Sequence, residues 1–286
     1  MKEILVIGMS LTWRVQIKNK TSQIEVNWKP KIYSKLSIVQ DITAQKLLSI
    51  LKINEKDIIL DVGCGDGKIT AQLSNIAKNG SVLGIDKSLN MIDFAVNTYC
   101  EQQYPNLNFQ IKSAENIRYN ESYDLIFSSF ALQWFKDKNS FFVKAHKSLR
   151  SDGKIAIVAP VGVSPELEQA IQVVINSPEW FSYYKNFHPG WYFSSPKFIT
   201  HLVKENCFNI TYSSTYVQEV RFQSLDEFEK YILLWFPYLK PLKETQRKVF
   251  FSEVINEYCK ILPINLDDSV IMRVPIISLV ASKPNL

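Results

Sequence analysis

The segment Leu60-Asp-Val-Gly-Cys-Gly-Asp-Gly67 sets three glycines at two-residue intervals behind an aspartate, directly after a β-branched apolar run. Glycine permits a tight turn and lets backbone amides approach a ligand at the start of a following helix, so Gly63 and Gly65 mark a nucleotide-cofactor loop. A dinucleotide fingerprint would read Gly-x-Gly-x-x-Gly; here the third glycine arrives one position early and Lys68 follows it. Asp61 and Asp66 flank the loop. Their charge repels a pyrophosphate and welcomes an ammonium, which favours an aminoacyl cofactor over NAD, NADP or FAD.

Further along, Gly84-Ile-Asp86 closes a second apolar run with a carboxylate placed to accept both hydroxyls of a ribose. Asp86 would otherwise read as a helix N-cap, but Ser88 is available for that task. Met91 falls one turn into the next helix, where it either lies against an adenine or joins the core.

These residues need elements to position them. Apolar residues at helical spacing (Ile38, Ile42, Ala44, Leu47, Leu48, Leu51) predict a helix before the first buried strand, 57–62. A regular alternation follows: helix 68–78, strand 81–86, helix 88–103, strand 107–112, strand 123–128, helix 138–149 and strand 153–159, with Gly, Asn, Asp or Ser at the junctions. Short strands separated by helices mean a doubly wound, mostly parallel α/β sheet, whose ligands bind beyond the carboxyl ends of the strands. Past Pro160 the rhythm gives way to a helical, aromatic-rich stretch (Trp180, Phe181, Tyr183, Tyr184, Phe187, Trp191, Tyr192, Phe193). Helix 195–206, strand 208–222, helices 225–236 and 243–261 and a last strand 269–282 complete the chain. The division expected is an extension over 1–27, with short strands of its own, and one domain over 28–286. Within that domain, 38–160 is the cofactor-binding core, 161–266 a helical lid and substrate region, and 267–286 the last strand.

The motifs together resemble class I S-adenosylmethionine-dependent methyltransferases. The matching segments run from Leu60–Gly67 through Gly84-Ile-Asp86, Ser113-Ala-Glu-Asn116 and Tyr123-Asp-Leu-Ile-Phe127 to Leu149-Arg-Ser-Asp-Gly153. The segment Ser128-Ser-Phe-Ala-Leu-Gln-Trp134 is similar to the subgroup containing trans-aconitate, malonyl-carrier-protein and juvenile hormone acid methyltransferases. A weaker likeness extends through Tyr33-Ser-Lys-x-Ser-x-Val-Gln40 and Met272-Arg-Val-Pro275. The resemblance implies a seven-stranded Rossmann-like sheet and S-adenosyl-L-methionine as cofactor. It implies cofactor contacts at Tyr33, Asp61, Gly63, Gly65, Asp86, Lys87, Met91, Ser113, Ala114 and Ser128. Gln40 and Trp134 are the matching glutamine and tryptophan that hold an acid in the juvenile hormone acid enzymes. Relatives often carry aspartate where this chain has Ser113; a serine still accepts a hydrogen bond from an adenine amino group, but without charge the bond is worth about 1 kcal/mol less.

Composition narrows the alternatives. Four cysteines lie far apart with no C-x-x-C pair, and three histidines share no i, i+4 spacing, so neither a disulfide framework nor a metal site is expected. The net charge of +5 comes from scattered lysines with no block of like charge, which points away from nucleic acid. The apolar run 4–13 is too short to span a bilayer, is preceded by Glu3 and lacks a cleavage site, so a cytoplasmic protein is expected, monomeric or homodimeric.

A sulfonium carries its own activation, so the protein has to align a nucleophile and exclude water. A carboxylate is already ionised near neutral pH and needs no general base, which fits the lack of an obvious base in this sequence. The acceptor expected is therefore a carboxylate of a small organic acid or acyl group, held by N–H groups of Gln40 and Trp134 in an apolar, lidded pocket. The alternatives are a small-molecule N- or phenol O-methyltransferase and a catalytically silent cofactor-binding regulatory protein.

Overall fold

The computed structural model describes residues 28–117 and 121–285. The strands expected within 1–27 lie outside the described residues. Seven strands form one sheet: β1 (Ile58–Val62), β2 (Ser81–Asp86), β3 (Leu107–Ile111), β4 (Tyr123–Ser129), β5 (Leu149–Pro160), β6 (Asn209–Phe222) and β7 (Val270–Ser282). Their order across the sheet is β3-β2-β1-β4-β5-β7-β6. All neighbours pair in parallel except β7, which runs antiparallel to both β5 and β6. The order reverses between β1 and β4, and that is where the glycine loop emerges from β1.

The helices are α1 (Pro30–Leu36), α2 (Ile38–Ile50), α3 (Lys68–Ile76), α4 (Leu89–Thr98), α5 (Lys138–Ser148), α6 (Pro165–Ile175), α7 (Phe181–Tyr184), α8 (Pro196–Glu205), α9 (Leu225–Leu233) and α10 (Glu244–Ile261). Two buried clusters cover the faces of the sheet. Phe141, Phe142, Ile199 and Val203 pack with Leu60, Ile126 and Ile277, while Leu47, Leu73, Phe228 and Tyr258 pack with Ile59, Phe127 and Ile276. Neighbouring strand residues thus alternate between faces, as the pleat requires. Among the described residues no helix is long and apolar enough to cross a membrane.

The predicted elements all occur, with three instructive differences at their ends. The helix expected over 88–103 stops at Thr98. There the side chains of Asn97 and Thr98 turn back onto the carbonyls of Asp93 and Phe94, and Pro105 lies ahead. The helix expected over 225–236 ends at Leu233, tightens through i to i−3 bonds at Leu234 and Trp235, and is closed by Pro237. The last strand of the parallel set begins at Leu149 rather than Gly153, with Asp152 at φ 61 making the bend. Helix α1 has no counterpart among the expected elements; α6, inside the stretch read only as helical, carries a full start signal, Ser164 as cap with Pro165 and Glu166 behind it.

The lid expectation divides. Trp180 and Tyr184 are buried against Phe250 of α10, with Trp180 Nε1 donating to Glu253 at 2.7 Å and Tyr184 Oη donating to the Tyr238 carbonyl at 2.6 Å. These rings are core, because burying their large apolar area against the α6–α10 pair outweighs leaving it at a cavity mouth. Phe181 and Tyr183 are exposed, and only Trp191 and Phe193 of the eight aromatics reach the cavity described below.

Candidate active site

The loop after β1 is shaped by its glycines. Gly63 sits at φ +76 with its Cα against the Ala131 methyl, so any side chain there would collide with the turn after β4. Gly67 adopts φ +82 as the left-handed residue ahead of α3, and a side chain would strike Phe109 and Ala95. Gly65, at the crest, has φ +55 and meets only the Tyr33 ring at 3.9 Å. Its missing side chain therefore leaves a cradle between the loop and α1.

Three carboxylates face this loop. Asp86, at the end of β2, accepts from Gly65 N at 3.1 Å through Oδ2 and from Ser88 N at 2.8 Å through Oδ1. Each oxygen keeps a lone pair for a hydroxyl. Ser88 is the residue that caps α4, receiving Met91 N on its hydroxyl, so Asp86 is free of that duty. Asp66 accepts from Lys68 N through Oδ1 and from Ser34 of α1, yet its Oδ2 is buried with no partner. Burial raises the pKa of both Asp66 and Asp86. Asp61 is 2% exposed and accepts the Thr70 hydroxyl at 2.7 Å; burial pushes its pKa up to about 7 against the lowering effect of that hydrogen bond.

These features fit S-adenosylmethionine. The Gly65 cradle admits a ligand to the backbone amides, Asp86 offers two acceptors to a ribose diol, and the orphaned Asp66 oxygen suits a ligand ammonium.

The other predicted cofactor residues take distinct positions. Tyr33 lies over the loop from α1, near Asp66, Asp41 and Asp86, and burial together with those carboxylates holds its phenol well above the usual range. Lys68 pairs with Asp41 of α2, tying α2 to the start of α3. Ser113 takes Glu115 N on its hydroxyl and caps the short turn that contains the buried Ala114. Lys87 is exposed and Met91 is 3% exposed. Asp61 and Ser128 present no free side chain: Ser128 is fully buried and donates to the Val62 carbonyl at 2.9 Å, binding β4 to β1 beneath the loop. Their contribution is to hold the loop's shape.

Beside the loop lies a cavity of about 60 Å³ that brings Tyr33, Gln40 and Trp134 together. Trp134 meets Trp28 edge to face at 5.8 Å, and Trp28 meets Tyr33 in the same way at 5.5 Å. Phe130, at φ 52, turns the chain out of β4 into the turn that carries Gln133 and Trp134. A strained residue at this point places two successive side chains at the cavity. Lys138, 6% exposed, donates to the carbonyls of Phe135 and Tyr192, linking that turn to the segment with Trp191 and Phe193; burial lowers its pKa to about 8. The sequence pattern does not single out Gln133, Tyr231 or Trp235, which also line the cavity. Tyr231 and Trp235 stand four apart, a spacing that reads as an ordinary core stripe on a helix.

The chain matches the family model described as "Methyltransferase domain" over residues 53–221. It is 30% identical over 236 residues to the methyltransferase-family protein 235L of Invertebrate iridescent virus 6, covering 81% of this chain and 85% of that one. It is 33% identical over 142 residues to a malonyl-[acyl-carrier protein] O-methyltransferase of Acetivibrio thermocellus, about half the length of each, 49% in both cases. Among solved structures, the YcgJ protein of Bacillus subtilis has the same fold, with a TM-score of 0.57 at 15% identity over 86% of this chain and 100% of that one.

Proposed function

The chain belongs to the methyltransferase-domain family and uses S-adenosylmethionine, and from that premise we propose that it methylates a carboxylate of a small organic acid or acyl group, giving an ester. The observation that carries this reading is that Gln40 and Trp134, far apart in sequence, line one cavity next to the cofactor loop. Both bear N–H donors, which hold a carboxylate without protonating it. The malonyl-carrier-protein relative, whose name describes an O-methyl transfer to a malonyl group, supports the same class of acceptor.

When bound, S-adenosylmethionine supplies a methyl group on a positively charged sulfonium, activated for displacement. The residues of this chain have to orient the acceptor oxygen toward that methyl and keep water out. Rings of Trp28, Phe130, Trp134, Trp191 and Phe193 supply the dry wall. An amine or phenol acceptor would call for a general base. The ionisable side chains lining the cavity are Tyr33 and Tyr231, and burial raises the pKa of both, which leaves them protonated and unable to act as base near neutral pH.

We read residues 28–286 as one catalytic unit with the cavity between its cofactor half and the 161–266 region. The test is a screen of carboxylic acids, amines and phenols with labelled S-adenosylmethionine against the wild type, Gln40→Ala and Trp134→Ala. A carboxylic acid should be turned over, with each variant slowed about ten- to a hundredfold, the loss of one hydrogen bond to a charged group. Turnover of amines or phenols alone, or wild-type rates in both variants, would overturn the assignment.

A further inference from the structure

The cavity contains polar groups that the protein itself leaves unsatisfied. Trp235, just past the end of α9, carries a buried Nε1–H with no partner. Tyr231, one turn earlier, brings its hydroxyl beside the Gln40 amide and the Trp235 indole. Gln133 donates through Nε2 to the Phe130 carbonyl at 2.6 Å, which fixes its amide and leaves Oε1 buried without a donor. A buried, unmade hydrogen bond is costly, so an N–H left bare at a cavity wall is poised for a ligand acceptor.

The rest of the lining is apolar. No Lys, Arg, His, Asp or Glu is among the described residues that form the wall. One carboxylate can be held there by N–H and O–H donors; a second would be buried without a counter-charge, which is far more expensive. The Gln133 oxygen, an acceptor only, repels a carboxylate and drives the acidic head toward the Gln40, Tyr231 and Trp235 side.

Resting on the carboxylate reading above, we propose that Tyr231 and Trp235 are acceptor-binding residues that complete a donor set with Gln40, and that the acceptor is a monocarboxylic acid with an uncharged, apolar body. Both residues fall outside the matched range 53–221, in the part of the chain where substrate specificity is free to diverge. Helix α9 contacts α1, so the donors are carried by an element that also touches the helix bearing Tyr33 over the cofactor loop.

The experiment compares octanoate and benzoate with octanedioate and aconitate, using the full chain and labelled S-adenosylmethionine, in the wild type, Trp235→Phe and Tyr231→Phe. Both substitutions keep an aromatic ring and delete the polar handle. Calorimetry of octanoate and benzoate in the presence of S-adenosylhomocysteine supplies a binding readout independent of turnover. The expected result is at least a tenfold higher kcat/KM for octanoate than for octanedioate. Each variant should raise KM for octanoate fivefold or more with unchanged affinity for S-adenosylmethionine. Preference for octanedioate or aconitate, or unchanged KM in both variants, overturns this proposal while leaving the carboxylate reading intact. Failure of octanoate and benzoate both to bind and to react, with amines or phenols methylated instead, overturns both.

Discussion

The Asp86 carboxylate accepts the backbone N–H of Gly65 across 3.1 Å, so the end of β2 and the crest of the glycine loop are held together by the residue expected to receive the ribose. The same side chain anchors Ser88 N at the start of α4. Cofactor binding and loop geometry are therefore coupled through one buried carboxylate, and each oxygen has capacity for one further donor.

Asp86→Ala removes both the ribose acceptors and the loop anchor. Affinity for S-adenosylmethionine should fall by about a hundredfold or more, the equivalent of two lost charge-assisted hydrogen bonds. Titration calorimetry checks it, and an unchanged dissociation constant would remove Asp86 from the site.

Gly63→Ala should destabilise the protein by about 2 kcal/mol or more, because a left-handed backbone and a collision with the Ala131 side chain act together. Gly162→Ala is the control, since a methyl group added there meets nothing nearer than Pro275 Cγ at 3.7 Å, ordinary contact distance. Denaturant melts of the two variants should separate clearly; equal midpoints would mean the loop is not sterically locked.

Asp61 gives the ligand-free protein a pH dependence. Its folded pKa, about 7, lies above the unfolded value of 3.8, so the folded state binds the extra proton between those limits. The stability it contributes is complete below pH 3.8 and is lost as pH rises through 7, on the order of a few kcal/mol over the window. Asp61→Asn keeps an acceptor for Thr70 and removes the titration. Urea unfolding at pH 5 and pH 8 should show a smaller loss for the variant than for the wild type; parallel losses would contradict the raised pKa.

NAD, NADP and FAD should not raise the melting temperature, whereas S-adenosylmethionine should, by the mass-action effect of a ligand that binds only the folded state. The reason is the density of carboxylate at the loop: Asp66 keeps a bare buried oxygen where a pyrophosphate would have to lie, and Asp61 and Asp86 stand beneath it. A dinucleotide producing a shift comparable to that of S-adenosylmethionine would reverse the cofactor preference.

Local chemistry alone determined the cofactor half of this protein. Glycines at positions 63, 65 and 67, an acid closing β2, and strands separated by amphipathic helices are constraints within short windows, because positive φ, capping and periodicity are local properties. The parallel order from β3 to β5 followed from the same rhythm. What tertiary structure decided is the acceptor half. Nothing in the spacing of Tyr231 and Trp235 separates them from a core stripe. Their polar atoms meet Gln40 only because Pro237 ends α9 early and the antiparallel β6–β7 pair returns Met272 and Val274 to the cavity wall. Likewise Trp180 and Trp191 look alike in sequence. One is sealed against Phe250 and the other is left at the cavity, because burial depends on which surface α10 covers, a long-range contact that no window of sequence contains.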